Sequence, residues 1–304
     1  MVGLDRKDKN IRDFVSHLKL VHKRDKINAL PPISNYEYKI YNSLCILRDK
    51  LTFGAFCKGI GIPTPANYAI VEKGEILLLN SAEIAPLEKI LETDIDAFCK
   101  ILNGGQGKGL FNLKIKENVA YKNDQPISIE ELKQEFGQEK WLVQEKIAGQ
   151  HDDLTKIYPH SINTIRLMTV NTGTSVEPIG ALLRMGTGGK RVDNWSAGGI
   201  IVPIDKDGRL TKYGFFKPGY GTKMAYHSDS GIEFEGLKVP FFDEALKQAK
   251  YLHSLLHRIH SVGWDIGITK EGPIFIEGND NWDVALYELT NENSKSLIEN
   301  YLKS

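Results

Sequence analysis

The stretch 263–283, Gly-Trp-Asp-Ile-Gly-Ile-Thr-Lys-Glu-Gly-Pro-Ile-Phe-Ile-Glu-Gly-Asn-Asp-Asn-Trp-Asp, constrains the fold of this chain more than any other. Lys270-Glu271-Gly272 separates two short apolar runs and reads as a tight turn between strands, Asp265–Thr269 and Pro273–Glu277. On this reading Asp265 opens the first strand, Glu277 closes the second, and Asn279 stands two residues beyond. In an antiparallel hairpin the start of one strand lies beside the end of the next. The three side chains are therefore expected at one end of a sheet. Two carboxylates and an amide oxygen form a hard, all-oxygen set suited to magnesium, which often shares such ligands with phosphate. The same spacing also fits a hairpin whose acidic ends simply face water.

Composition sets outer bounds. A chain of 304 residues can hold one large domain or two ordinary ones. Lys plus Arg and Asp plus Glu number 39 each, so the formal net charge is zero, which argues against a general nucleic-acid binder. No apolar run approaches the roughly 20 residues needed to span a bilayer. The first residues lack the apolar core of a signal peptide. Cys45, Cys57 and Cys99 are widely spaced without a C-x-x-C, as expected for buried thiols in a reducing cytoplasm.

Along the chain, residues 1–58 read as a helical N-terminal region. Ile11, Phe14, Val15, Leu18 and Val21 form one amphipathic stripe, and Tyr36–Lys58 reads as a longer helix. Strands are expected at 68–71, 75–79, 96–103, 110–115 and 141–144, with a helix from Ser81 to Leu91 and another from Ser128, whose Glu131 has capping-box spacing. The second half reads as β-rich: 165–170, 177–184, 199–203 and 210–216. A polar, glycine-containing loop (218–236) precedes an amphipathic helix over 242–260 and a last helix over 293–302. His253, His257 and His260 lie at i, i+4 and i+7 on the first of these helices, but no carboxylate joins them in a metal motif, so packing is the expected role.

Two further features bear on chemistry. Gly104-Gly105-Gln106-Gly107-Lys108-Gly109 joins two expected strands and is neither a Walker loop nor a G-x-G-x-x-G turn. Such a loop can donate backbone N–H groups to phosphates and move as a lid, with Lys100 reaching a phosphate from the entering strand. It also fits a plain hairpin turn. Arg166 and Arg184 sit on apolar strands, where a guanidinium either enters a lined cleft or pairs with an acid. Asn194 follows Arg184 by ten residues, in Asp193-Asn194-Trp195-Ser196-Ala197-Gly198-Gly199. No G-x-S-x-G is present, and no cysteine has an obvious histidine partner.

The order of these pieces resembles the ATP-grasp superfamily. The phrases His160-Ser-Ile-Asn-Thr-Ile-Arg166, Arg191-Val-Asp-Asn-Trp-Ser-Ala-Gly-Gly-Ile200 and the 263–283 stretch resemble, more narrowly, its sugar-transfer-associated family. The resemblance implies an α+β, ATP-grasp fold, with two α+β subdomains clamping ATP after a short helical N-terminal region. Residues 59–147 would form the lid subdomain with the glycine-rich loop, and 148–304 the C-terminal subdomain with the metal site. It further implies that Lys100 binds the α- and β-phosphates, with Lys50 as the second choice, and that Gly104, Gly105, Gly107 and Lys108 cover them. Gln144, Glu145, Lys146 and Ile147 would hold adenine, and Asp153 the ribose. Arg166 and Arg184 would neutralise the γ-phosphate, Asn194 would hold a phosphate oxygen, and Asp265, Glu277 and Asn279 would hold one or two magnesium (or manganese) ions. Many relatives carry a separate α/β domain ahead of these parts. The first 58 residues here read as too few and too helical for one, so a differently built acceptor pocket is expected.

The activity so implied is a cytoplasmic, ATP- and magnesium-dependent, ADP-forming carboxylate–amine ligase working through an acyl phosphate. Its expected substrates are small molecules, a sugar acid or amino acid among them, in surface polysaccharide or conjugate biosynthesis. Nucleic acid and a membrane span are not expected. A phosphotransferase acting on a sugar or alcohol, and a non-catalytic nucleotide-binding partner of a glycosyltransferase system, remain as the other readings.

Overall fold

The computed structural model describes residues 43–102, 109–190, 193, 195, 198–217, 223–256 and 259–283. The amphipathic stripe from Ile11, the loop residues 103–108, Asn194, His257 and the expected last helix lie outside the described residues. The chain divides into two compact units. One comprises Met1–Leu44, Gln150–Pro273 and Glu277–Ser304, and the other Cys45–Gly149 with Ile274–Ile276.

Two helices lead into the second unit, α1 (Leu44–Arg48), whose first residue belongs to the other unit, and α2 (Lys50–Gly59). Sequence periodicity predicts one helix here, but Asp49 divides it. Asp49 takes extended backbone angles, and its carboxylate accepts the Thr52 N–H at 2.7 Å as the N-cap of α2. Eight strands follow: β1 (Asn67–Glu72), β2 (Glu75–Leu78), β3 (Glu83–Pro86), β4 (Ile95–Ile101), β5 (Leu110–Lys116), β6 (Val119–Lys122), β7 (Gln125–Ile127) and β8 (Trp141–Glu145). They form one sheet in the order β3-β2-β1-β8-β4-β5-β6-β7. The helix expected from Ser81 is absent. Glu83–Pro86 pairs with β2 instead, and Leu87–Glu92 forms a 3-10 helix.

The β6–β7 hairpin was not anticipated. Its turn residues Asn123 and Asp124 both have positive φ, 51° and 65°, the geometry that matches the twist of a tight hairpin. Helix α3 (Ile129–Phe136) begins with the expected capping box, Ser128 and Glu131 each bonding the other's backbone. Phe111, Phe136 and Trp141 pack together with centroids 5.3–5.7 Å apart, and the Trp141 indole N–H donates to the Phe136 carbonyl at 2.8 Å.

The first unit holds a six-stranded sheet, order β12-β11-β10-β9-β13-β14. Its strands are β9 (Thr164–Asn171), β10 (Val176–Met185), β11 (Ile200–Ile204), β12 (Phe215–Phe216), β13 (Ser261–Ile268) and β14 (Pro273–Asn279). A short helix, α4 (Asp152–Ile157), precedes β9, and α5 (Phe242–Leu255) packs over β9, β10 and β13. The strand expected over 210–216 shrinks to Phe215–Phe216. A Cβ at Gly214 would stand 2.8 Å from Ile200 and 2.9 Å from Phe234, so backbone lies close to side chains there. The 263–283 hairpin is present, closed by Thr269 N–H to Gly272 O at 2.9 Å. Its first strand starts at Ser261, so Asp265 lies in mid-strand and does not open it as predicted. The residues Ser261-Val262-Gly263-Trp264 are all buried and simply extend the ladder.

Period-2 alternation then separates two faces. Thr164 and Arg166 on β9 lie opposite Arg184 and Leu182 on β10, and opposite Gly267 and Asp265 on β13, so these share one face. Leu167, Thr169 and Trp264 point to the other, toward α5. There His253 is completely buried, in line with packing. Its Nε2 lies 2.9 Å from the Ile259 carbonyl, and its Nδ1 2.7 Å from the Thr169 hydroxyl, which accepts from the Trp264 indole at 2.8 Å. Burial lowers the His253 pKa to about 4.

Candidate functional site

The charged face of the six-stranded sheet gathers the second half of the expected site. Arg166 donates from Nε to Asp265 Oδ1 at 2.5 Å and from Nη2 to Oδ2 at 3.1 Å, a bidentate pair inside the protein. Arg184 Nη2 approaches the same Asp265 Oδ2 at 3.0 Å. Glu277 lies near enough to act on Asp265 and on the Arg184 charge, and Asn279 Nδ2 lies 3.3 Å from Glu277 Oε1 and 3.4 Å from the Gly263 carbonyl. Arg166, Arg184, Asp265, Glu277 and Asn279 are therefore brought together. Asn194 lies outside the described residues, but its neighbour Asp193 joins the group. Asp193 Oδ2 is 3.4 Å from Arg184 Nη2 and accepts a short hydrogen bond from the Thr164 hydroxyl.

Electrostatics follow from burial. Burial alone would raise the Asp265 carboxyl, but the charges of Arg166 and then Arg184 outweigh it and hold the group below the usual carboxylate range. Burial likewise opposes the Arg184 charge, while Asp193, Asp265 and Glu277 hold it above its ordinary value. Two guanidiniums against three carboxylates leave these five groups with a formal charge of −1 (2 − 3). Among the described residues no three His, Cys, Asp or Glu side chains gather as a metal cluster, so a cation here would take the Asn279 amide oxygen beside the two carboxylates. That donor set fits a hard divalent ion.

Space on this face depends on glycine. A Cβ at Gly263 would meet the Trp282 Cβ at 2.5 Å and Arg166 Nη1 at 3.3 Å. Trp282 is itself buried, its indole donating to the Ser261 hydroxyl at 3.1 Å.

The other group of expected residues lies on the eight-stranded sheet. Asn67 pairs with Gln144 across β1 and β8, and Phe98 with Gln144 across β4 and β8, which puts Lys100 on the same face. Lys100 Nζ donates to Gln144 Oε1 at 2.8 Å, and Gln144 Nε2 donates to Asn67 Oδ1 at 2.9 Å. The buried Gln144 side chain thus orients the lysine. Glu145 and Ala66 exchange two hydrogen bonds of 2.8 Å, and the Lys146 ammonium lies 3.1 Å from Asp96. Ile147 is half-buried. Asp153 is exposed on α4, 3.1 Å from Lys156. Gly104, Gly105, Gly107 and Lys108 lie outside the described residues.

Three residues escaped sequence reasoning, Thr164, Asp193 and Asn67, while His227 was expected only as part of the 218–236 loop. The first two sit inside quoted motifs beside an arginine or asparagine, which was the available signal. His227 is fully buried. Its Nε2 meets the Gly186 carbonyl at 2.9 Å, while neighbouring Asp229 accepts the Gly188 N–H at 2.7 Å. Together they pin the glycine-containing turn 186–190 that leads to Asp193.

No curated protein matches the sequence. Among solved structures, D-alanine–D-alanine ligase from Helicobacter pylori is 14% identical, with 85% of this chain and 61% of that one covered and a TM-score of 0.48. The L-amino acid ligase from Bacillus licheniformis is 11% identical, with 98% and 61% covered and a TM-score of 0.49. The N5-carboxyaminoimidazole ribonucleotide synthetase from Thermotoga maritima is 14% identical, with 78% and 43% covered and a TM-score of 0.40. The chain thus spans less than two thirds of the length of each of these three. The model of the family described as sugar-transfer associated ATP-grasp matches residues 34–301, nearly the whole chain. The chain belongs to the sugar-transfer associated ATP-grasp family and has the α+β ATP-grasp fold.

Proposed function

We propose that this protein is an ATP- and magnesium-dependent carboxylate–amine ligase that forms ADP. Family membership supports ATP-dependent ligation in general, since ATP-grasp members are carboxylate–amine ligases. The observation that carries the finer reading is the convergence of Arg166, Arg184, Asp265, Glu277 and Asn279 on one sheet face. Buried guanidiniums next to an oxygen-only cation set suit a transferring phosphoryl group better than a structural core.

In this reading residues 59–147 act as the lid subdomain and 148–304 as the subdomain carrying the metal ligands. Lys100, oriented by Gln144, binds the α- and β-phosphates with Gly104, Gly105, Gly107 and Lys108. The segment Gln144–Ile147 holds adenine, and Asp153 contacts the ribose. Asp265, Glu277 and Asn279 would hold magnesium, which would supply positive charge to offset the phosphates of ATP. Arg166 and Arg184 face the γ-phosphate. A guanidinium carries five N–H donors, more than their contacts with Asp265 take up. Asn194 holds a phosphate oxygen.

A carboxylate oxygen of the first substrate attacks the γ-phosphorus, and the bond to the ADP oxygen breaks with its electron pair leaving on ADP. The amine of the second substrate then attacks the acyl carbon. The C–O bond to phosphate breaks, phosphate departs, and the amine proton passes to phosphate or solvent. Oxide is a poor leaving group and phosphate a good one, which is why ATP is needed. The chain's contribution is positioning and charge neutralisation. The family's association with sugar transfer supports a sugar acid or amino acid as substrate, for surface polysaccharide or conjugates, in the cytoplasm.

The test is ADP release with magnesium and ATP against pools of uronic acids, amino acids and amines. ADP and phosphate should appear only when a carboxylate and an amine are both present, and Glu277→Gln should lower the rate at least about 100-fold, the scale seen when a charge-stabilising group is removed. AMP and pyrophosphate as products would sink the reading. A stable phosphorylated product without any amine would replace it with a phosphotransferase.

A further inference from the structure

Asp193 has no role in the scheme above, yet it is built into the same charge network. Its Oδ2 accepts from the Thr164 hydroxyl and lies 3.4 Å from Arg184 Nη2. The Thr164 hydroxyl also accepts from Arg184 Nε at 3.0 Å. Arg184 is therefore gripped from two directions, by Asp193 with Thr164 and by Asp265 at 3.0 Å. The Arg184 and Asp193 side chains are only 13% and 17% exposed, so water offers little substitute for either partner.

Asp265 is the shared element. Both of its oxygens accept from guanidiniums, so a divalent ion would share the carboxylate with them and draw charge away from each. Releasing Asp265 would strand a buried guanidinium unless a second counter-charge stands ready, and a stranded buried charge is costly. Asp193 is that counter-charge for Arg184.

We propose that Asp193 is a positioning residue for Arg184: with Thr164 it keeps the guanidinium neutralised and in place while Asp265 turns its oxygens to a divalent cation. The proposal rests on the reading of Asp265 as a metal ligand. It makes Asp193 matter to metal binding through Arg184, not through direct contact with the ion.

The experiment counts free Mn2+ by electron paramagnetic resonance in the presence of ADP. It uses the full chain, and thermal unfolding reports folding of each variant. Asp193→Asn should weaken Mn2+ binding about tenfold, as expected when a group that orients a metal ligand is lost. Thr164→Val, which changes no charge, should weaken it a few-fold. In an Arg184→Met background, the further change Asp193→Asn should have no effect on Mn2+. Equal weakening by Asp193→Asn with and without Arg184, or wild-type binding in Thr164→Val, overturns the proposal. Because Thr164→Val leaves every charge in place, it decides the matter even if Arg184→Met does not fold. If wild type binds no Mn2+, or Asp265→Asn binds it as well as wild type, the metal reading itself falls and this inference with it. If Asp265→Asn loses Mn2+ while Asp193→Asn does not, only this inference falls.

Discussion

The buried His253 gives a stability prediction that can be worked through in numbers. Its imidazole sits under the sheet with Nδ1 on the Thr169 hydroxyl, Nε2 on the Ile259 carbonyl, the Trp264 ring edge-on at 6.2 Å, and His260 nearby. Burial, aided slightly by the His260 charge, lowers its pKa from 6.5 to about 4 against the favourable pull of the Ile259 carbonyl. Above pH 6.5 both folded and unfolded chains hold this histidine neutral, and it contributes no pH dependence. Between pH 6.5 and 4 the unfolded chain takes up a proton that the folded chain refuses, so stability falls as pH falls. Below pH 4 both states are protonated and the loss is complete. At about 1.4 kcal/mol per pH unit, the interval from 6.5 to about 4 corresponds to about 3 kcal/mol. The assay is urea unfolding at a series of pH values for wild type and His253→Gln. The variant has its own offset, but its stability should fall about 3 kcal/mol less over this interval. Parallel curves would refute the argument, because they would mean that His253 is protonated as readily in the folded protein as in the unfolded chain.

Other outcomes follow from close packing and capping. Gly263→Ala places a methyl 2.5 Å from the Trp282 Cβ, a carbon that cannot swing away without backbone movement, and should cost about 1–3 kcal/mol in denaturant unfolding. Ser128→Ala removes the hydroxyl half of the α3 capping box while leaving the backbone N–H that donates to Glu131, and should cost about 1 kcal/mol by the same measurement. Of the three cysteines only Cys45 is exposed, and burial pushes the Cys57 thiol up to about 12, so native protein at pH 8 should label rapidly at about one thiol per chain with a disulfide reagent. Lys100→Met should weaken ADP binding by about tenfold or more in calorimetry, as loss of a charge-assisted hydrogen bond implies, with little change in unfolding midpoint.

The alternating apolar residues of 263–283 and the turn Lys270-Glu271-Gly272 were enough to locate the hairpin, because turn chemistry and period are local. The capping box at Ser128 was legible for the same reason. Asp49 was not, since an aspartate inside a helical period looks like a surface residue until its backbone turns extended. The stretch from Ser81 failed because Pro86 and pairing with β2 override a weak helical period. Within the site, residue types were legible but partners were not. Arg166 and Asp265 are separated by 99 positions and meet only through the β9–β13 register. That register also shows why either guess for an arginine on an apolar strand was incomplete. Arg166 is in an ion pair and also on the face that carries the other candidate ligands.

The charge cluster also restricts how such a sequence can drift. Removing Asp265 takes away the carboxylate that Arg166 grips with two donors, at about 3–5 kcal/mol, a large share of the roughly 5–15 kcal/mol that holds a typical domain together, whereas Arg184 keeps its contact with Asp193. Replacing the whole set with apolar residues of similar volume is often neutral or stabilising. The two ends of that path are both foldable, and intermediates that break the Arg166–Asp265 pair are costlier than either end. A lineage that ceased to need the chemistry would therefore keep its arginines and aspartates for a long time, then lose them together. Paralogues with partial sets should be rare, and intact charges alone would be a poor guide to which copies still turn over substrate.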